Sequence, residues 1–396
     1  MKITIVGGGF GGVKAALELA KDSRNSITLI SDKTYLQYYP ALYSAATGHN
    51  HLNSWIPLGE ILTDKDNVRV SIDTIVSFDP KEKIVTGESG AVYRFDRCIF
   101  ALGSVTTYFN IPGLDEYAYG IKSAEEIQRL KHHLYENIAE DHLLDRHYVV
   151  IGAGPTGVEL AAALGTYVER LSKHYGITRK VHVNLIEAAP RVLPRMSEAT
   201  SKKVLQRLKS LHVNVWTNKA IDVAKPDEII VSGKPMKTQT VIWTSGVANN
   251  PFYKANEAHF NFAKNGKIVV DEFMQSQRHV YVIGDNAFTP YSGLAQTALH
   301  DAQFVAQNIL REHDSKKPKK YKASLPPVVV PVGKKWAAFE WRGIRLYGRV
   351  ASFIRSMADL IGHADILPIR QVLGVWISGE GHEDDYFRPT PERRNQ

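Results

Sequence analysis

The stretch YVVIGAGPTGVELAAAL, Tyr148 to Leu164, decides the fold. The apolar run Tyr148–Ile151 predicts a strand, Gly152-x-Gly154-x-x-Gly157 a tight turn, and the remainder a helix. The glycines of such a turn differ in what they do. The first permits the bend, the second leaves room for a pyrophosphate, and the third lets helix and strand pack closely. The helix N-terminus then offers unpaired N–H groups and a partial positive charge to an anion. The same device opens the chain in KITIVGGGFGGVKAALELA, from Lys2, with Gly7, Gly9 and Gly12. One such motif is weak evidence. Two, about 145 residues apart and both in a strand–turn–helix setting, are hard to obtain by chance.

The expected fold is therefore α/β, with two Rossmann-like dinucleotide-binding domains. The second is inserted in the first, because IVVDEFMQSQRHVYVIGDNA, after the strand VIWTSG, has the pattern of a return to the opening sheet. The expected boundaries are 1–110 and 265–325 for the first domain, 111–264 for the second, and 326–396 for a C-terminal region. Two dinucleotides in one chain point to two carriers exchanging a hydride, and a flavin is the natural partner of a nicotinamide. The first turn is assigned to non-covalent FAD and the second to NADH.

An acid at the end of the second strand of each unit is expected to hold a ribose hydroxyl pair. In the second unit this is Glu187, which would repel a 2′-phosphate and favours NADH, although Arg191 nearby weakens that preference. In the first unit the strand ends on Ser31 and the acid, Asp32, comes one position late. Either residue fits the ribose. In YVIGDNA, Gly284 and Asp285 follow an apolar strand, where they can bond the ribityl chain or pyrophosphate; alone, Gly-Asp after a strand is usually a simple turn.

The 396 residues exceed one simple core and fit two or three domains. No run approaches the length of a spanning helix, and Ile3–Val6 already has the pattern of a core strand rather than a secretion signal. A place on the cytoplasmic side of the cell membrane, peripherally attached, is the expectation. The net charge of +8 favours anionic partners, but no nucleic-acid-binding signature accompanies it. The single cysteine, Cys98, excludes an intramolecular disulfide and a paired-cysteine redox centre. No cluster with metal-ligand spacing is present, so no metal is expected.

GGGFGG, YYPALYSAATG, GAGPTGVELA, VIWTSGV, VYVIGDNA and LAQTALHDA, in this order, resemble type II NADH dehydrogenases, single-subunit peripheral NADH:quinone oxidoreductases. The resemblance covers roughly residues 1 to 310. It implies that Glu159 lies near the nicotinamide, that Gln296 lies beside the flavin and a quinone, that Tyr39 packs against the flavin, and that Gly246 belongs to a cofactor site. Outside that resemblance Glu159 would be a helix-face carboxylate and Tyr39 ordinary aromatic packing. Where the family commonly has a second glutamine this chain has His300, either a proton donor to a quinone or a helix-surface imidazole. Two other readings stay open: a soluble reductase of a small iron–sulfur protein, and a flavin-binding interaction protein resembling apoptosis-inducing factor. Sulfide:quinone oxidoreductases, which share the architecture, need cysteines this chain lacks.

Leu346, Val350, Phe353, Ile354, Met357, Leu360 and Ile361 recur at helical spacing, with Arg345, Arg349, Arg355 and Asp359 mainly elsewhere around the helix. Ile369, Val372, Leu373 and Trp376 form a second apolar set. These faces are expected to meet an anionic membrane surface, the protein's own body or a second subunit. SKKPKKYKASLPP is expected to be a solvated linker, with a dedicated binding patch the alternative, and the last residues a polar tail.

Overall fold

The computed structural model describes residues 1–140, 142–177, 180–378 and 381. All but one residue of the polar tail expected from Gly381 onward lies outside them. A six-stranded sheet runs in the order Gln275–Gln277, Val280–Val282, Arg97–Phe100, Lys2–Val6, Ser26–Ser31, Val68–Ile72. All its pairings are parallel except that of Gln275–Gln277. Parallel strands covered by helices have both faces buried, hence the nearly all-apolar sequences of Ile3–Val6 and Ile27–Ile30, each interrupted by one threonine. A second, wholly parallel sheet is ordered Ala118–Tyr119, Thr240–Trp243, Tyr148–Ile151, Val183–Ile186, Val213–Trp216. In each sheet the strand before the glycine turn is central, so the turn opens where strands diverge on either side.

Ser104–Thr106 pairs antiparallel with Val247–Asn249, forming a ribbon at the two places where the chain leaves and re-enters the first sheet. The helix Phe10–Leu19 packs on the helix Ala295–His313, and Val13, Ala16, Ala302 and Val305 are buried in the core they share. Cys98 is fully buried within that core, and burial pushes its thiol well up, so it is an inert structural thiol.

The C-terminal reading needs correction in two respects. Ile344–Gly348 is a strand paired with Ala337–Trp341, and the helix Arg349–Ala364 begins only after Gly348, whose φ of 81° breaks the strand. Leu346 and Arg345 therefore do not belong to the helix. Arg355 and Asp359 are turned into the protein, while Val350, Phe353 and Ile361 remain 61%, 66% and 64% exposed. Helical spacing shows which residues share a face, but the partner surface decides which face is buried. The linker Lys316–Lys322 has no regular structure but is bonded along its length to the preceding helix.

Candidate cofactor cleft and acceptor cavity

The two glycine turns match in detail. Gly7 and Gly152 have φ of +116° and +101°, a region that favours glycine. A Cβ on Gly12 would lie 1.8 Å from the Gly7 carbonyl oxygen, and one on Gly157 would lie 1.8 Å from that of Gly152. A Cβ on Gly9 or Gly154, in contrast, would meet nothing within 4 Å. The first and third glycines are thus demanded by the backbone, while the second faces open space at a helix N-terminus, where a pyrophosphate fits.

Ser31 is 2% exposed; its Oγ accepts from the Lys33 N–H at 3.2 Å and lies beneath Gly8. Asp32 is exposed at the strand end. The half-exposed Tyr39 has its phenol pushed up to about 12, first by its packed surroundings and then by Asp285, Asp32 and Glu126. Asp32 and Asp285 are thus close enough to Tyr39 for their charges to act on its phenol. The Asp285 carboxylate accepts from Ser104 Oγ at 2.8 Å, and Gly284 has φ +69°.

In the second unit, Glu187 Oε2 accepts from the Ala153 N–H at 2.6 Å and Oε1 from that of Ala189 at 2.8 Å, placing a carboxylate against the glycine turn. Arg191 donates to the carbonyls of Leu193, Met196 and Pro194. Its guanidinium is committed to these three backbone carbonyls. Gly246, φ +75°, lies against the Phe109 ring, and its carbonyl accepts from Lys122 Nζ at 3.3 Å.

Glu159 lies on the helix Pro155–His174 that the second glycine turn opens. The packing around its carboxyl pushes it up to about 8, against the pull of Arg355, with Asp359 adding to the rise. Arg355 Nη1 meets Asp359 Oδ1 at 2.8 Å, and Nη2 donates to the Pro40 carbonyl at 2.8 Å. Tyr38 donates to Asp359 at 3.4 Å and stacks on His363 with ring centroids 4.2 Å apart. Sequence reading noted Arg355 and Asp359 only as off the apolar face, and did not single out Tyr43, whose phenol burial raises and which bonds Arg355. Nothing local links these residues, which come together only when the C-terminal helix docks.

A raised carboxyl has a definite consequence for stability. Below about pH 4.5 Glu159 is protonated in the folded and unfolded chain alike; as pH rises toward 8 only the unfolded chain releases its proton, and the folded state loses ground. Glu159→Gln is therefore expected to raise the thermal midpoint at pH 8 and leave it unchanged at pH 4. An equal shift at both pH values would show that Glu159 ionises normally.

Gln296 and His300 line a cavity of about 550 Å³ together with Phe353, Ile354, Met357 and Ile361 of the C-terminal helix. His300 Nε2 lies 3.0 Å from the Lys322 carbonyl oxygen. A carbonyl only accepts, so Nε2 carries hydrogen and a neutral ring has an unprotonated Nδ1. Glu159 stands with Arg355 and Tyr43 rather than among these lining residues. The Arg349–Ala364 helix thus serves both places, with Arg355 and Asp359 near Glu159 and its apolar side chains in the cavity.

Comparison with known proteins agrees with this architecture. The chain is 29% identical over 419 aligned residues to the type II NADH:quinone oxidoreductase NdhA of Mycobacterium tuberculosis, covering 96% of this chain and 87% of that protein. It superposes on NDH2 from Plasmodium falciparum, solved in complex with NADH, with a TM-score of 0.85 at 18% identity, covering 98% and 99% of the two chains. The sulfide:quinone oxidoreductase of Aquifex aeolicus gives a TM-score of 0.77 at 20% identity, covering 96% and 98%. The expected resemblance to type II NADH dehydrogenases is borne out. The family model for pyridine nucleotide-disulphide oxidoreductases matches residues 1–302, so the chain, although it holds a single buried cysteine, belongs to that family.

Proposed function

We propose that this protein is an NADH:quinone oxidoreductase that uses FAD and NADH. The observation that carries the reading is the pairing of two matched glycine turns with a separate apolar cavity bearing Gln296 and His300. Bound FAD supplies a two-electron carrier between NADH and the quinone. The chain's residues bind, orient and protonate. The open space at Gly9 and the first helix N-terminus hold the FAD pyrophosphate, and Asp32 rather than the engaged Ser31 holds its ribose; Asp285, Gly284 and Tyr39 line the same cleft. Gly154, Gly246 and Glu187 hold NADH. Glu159 keeps a proton at neutral pH beside the nicotinamide, and Arg355 fixes its surroundings. Gln296 bonds the quinone head, while His300 is placed to exchange a proton with it.

The exposed Ile344, Val350, Phe353, Ile361, Leu373 and Ile377 form the membrane-facing surface. Burying a large apolar side chain contributes roughly 1.5–3 kcal/mol, and Arg342, Arg345 and Arg349, all exposed nearby, add about 1 kcal/mol each at an anionic surface. No helix among the described residues is long and apolar enough to cross a membrane. Attachment is therefore peripheral, on the cytoplasmic face where NADH is available. A homodimer through the same surface is the competing use of these residues.

Anaerobic mixing tests the reading. NADH is expected to bleach the flavin much faster than NADPH, and ubiquinone or menaquinone analogues to restore its absorbance. Equal bleaching by NADPH would remove the role given to Glu187. Persistent bleaching in the presence of both quinones would remove the acceptor.

A further inference from the structure

Side chains at successive turns of the Ala295–His313 helix hold the basic connector antiparallel along it. Arg311 Nε donates to the Lys317 carbonyl at 2.8 Å. The Asn308 side chain bonds both the carbonyl and the N–H of Lys319, each at 2.9 Å. Phe304 packs edge-on against Tyr321, the Tyr321 hydroxyl donates to Asp301 Oδ1 at 2.6 Å, and His300 meets the Lys322 carbonyl. From the other side, Glu272 accepts the Tyr321 N–H at 2.7 Å and pairs with Lys320. This is a strap rather than a loose linker.

Asp301 is the unexpected member. It is fully buried, and its second oxygen accepts the Gly284 N–H at 3.0 Å. Burial raises its carboxyl against the lowering effect of these two hydrogen bonds. A buried carboxylate contributes little to stability compared with an apolar side chain of similar volume. Its position, one residue after His300 and bonded to the loop that carries Asp285, gives it another use.

We propose that the strap is a positioning element of the acceptor cavity: Asp301, held between the Gly284 N–H and the Tyr321 hydroxyl, ties the connector to the flavin-side loop, and the Lys322 carbonyl fixes His300 as the Nε2–H tautomer. Nδ1 is then the atom left to accept from a reduced quinone's hydroxyl or, once protonated, to donate to a quinone carbonyl. The proposal rests on the reading of that cavity as a quinone site. Tyr321 and Asn308 act through His300 and are positioning residues only.

The test uses the full chain with FAD and the variants Tyr321→Phe, Asn308→Ala and the double variant. Three quantities are measured: tryptic cleavage within Lys316–Lys322, flavin bleaching by NADH, and KM and kcat with a soluble short-chain ubiquinone analogue. The double variant is expected to be cleaved faster in the strap and to bleach as the parent does. Its quinone KM should rise roughly tenfold, the effect of losing one hydrogen bond. A loosened strap with unchanged quinone KM overturns the proposal alone, as does a strap that stays resistant to trypsin in the double variant. A parent enzyme that bleaches with NADH and is never reoxidised by the quinone analogue overturns the quinone reading, and this proposal with it.

Discussion

Gly12→Ala is expected to yield colourless, inactive protein, whereas Gly9→Ala should fold as the parent does and bind FAD weakly. The difference lies in what each new methyl group meets. At Gly12 it would lie 1.8 Å from the Gly7 carbonyl oxygen and 3.4 Å from Ile5 Cγ2. Backbone cannot rotate away as a side chain can, so the helix must lift from the central strand of the first sheet. Overpacking of this kind costs about 1–3 kcal/mol or more, and the same movement spoils the pyrophosphate cradle. Gly9 has φ −83° and ψ −170°, extended backbone that alanine adopts freely, with open space around it. There the methyl group competes only with the cofactor. Flavin-to-protein ratio and the thermal midpoint of FAD-stripped protein separate the two effects. Full flavin content in Gly12→Ala would refute the assignment of the first turn.

Arg355→Leu is expected to destabilise the protein by about 3 kcal/mol, at the lower end of what breaking a buried ion pair costs. The lower end is appropriate because the Asp359 side chain is 25% exposed and can take up a proton. The guanidinium satisfies Asp359 and the Pro40 carbonyl together and opposes the rise of the Glu159 carboxyl. Its loss should also push the Glu159 titration further up. The double variant Arg355→Leu, Asp359→Leu should recover much of the stability, since no unpaired charge remains. Urea unfolding of the three proteins decides the matter. A single variant as stable as the parent would show that the pair contributes nothing to docking the C-terminal helix.

The sequence revealed most where the physical demand is local. Gly7 and Gly152 are required by the positive φ of their own turns, and Gly12 and Gly157 by the Gly7 and Gly152 carbonyls, so a short window was enough to find them. Glu187 followed from its place at a strand end, and Cys98 from the apolar strand around it. Ser31 and Asp32 were harder to tell apart, because spacing does not show that the Ser31 Oγ accepts from the Lys33 N–H. Arg191 looked free to meet a phosphate until its three carbonyl partners were known. Arg355 lies far along the chain from Tyr38 and Tyr43, and a helical wheel has no knowledge of the surface a helix will meet. The strap was missed for the same reason: a lysine-rich segment carries no sign that its backbone will be bonded by Asn308 and Arg311, or its tyrosine by Asp301.

The ribbon formed by Ser104–Thr106 and Val247–Asn249 has a mechanical consequence. The two segments by which the chain passes from the first parallel sheet to the second and back run side by side, in register and hydrogen-bonded. A double tether of this kind yields to flexing across its thin direction but opposes torsion and sideways slip, as a door is held by a strip hinge rather than by a single pin. Any rotation of one parallel sheet against the other therefore favours the thin direction of the ribbon.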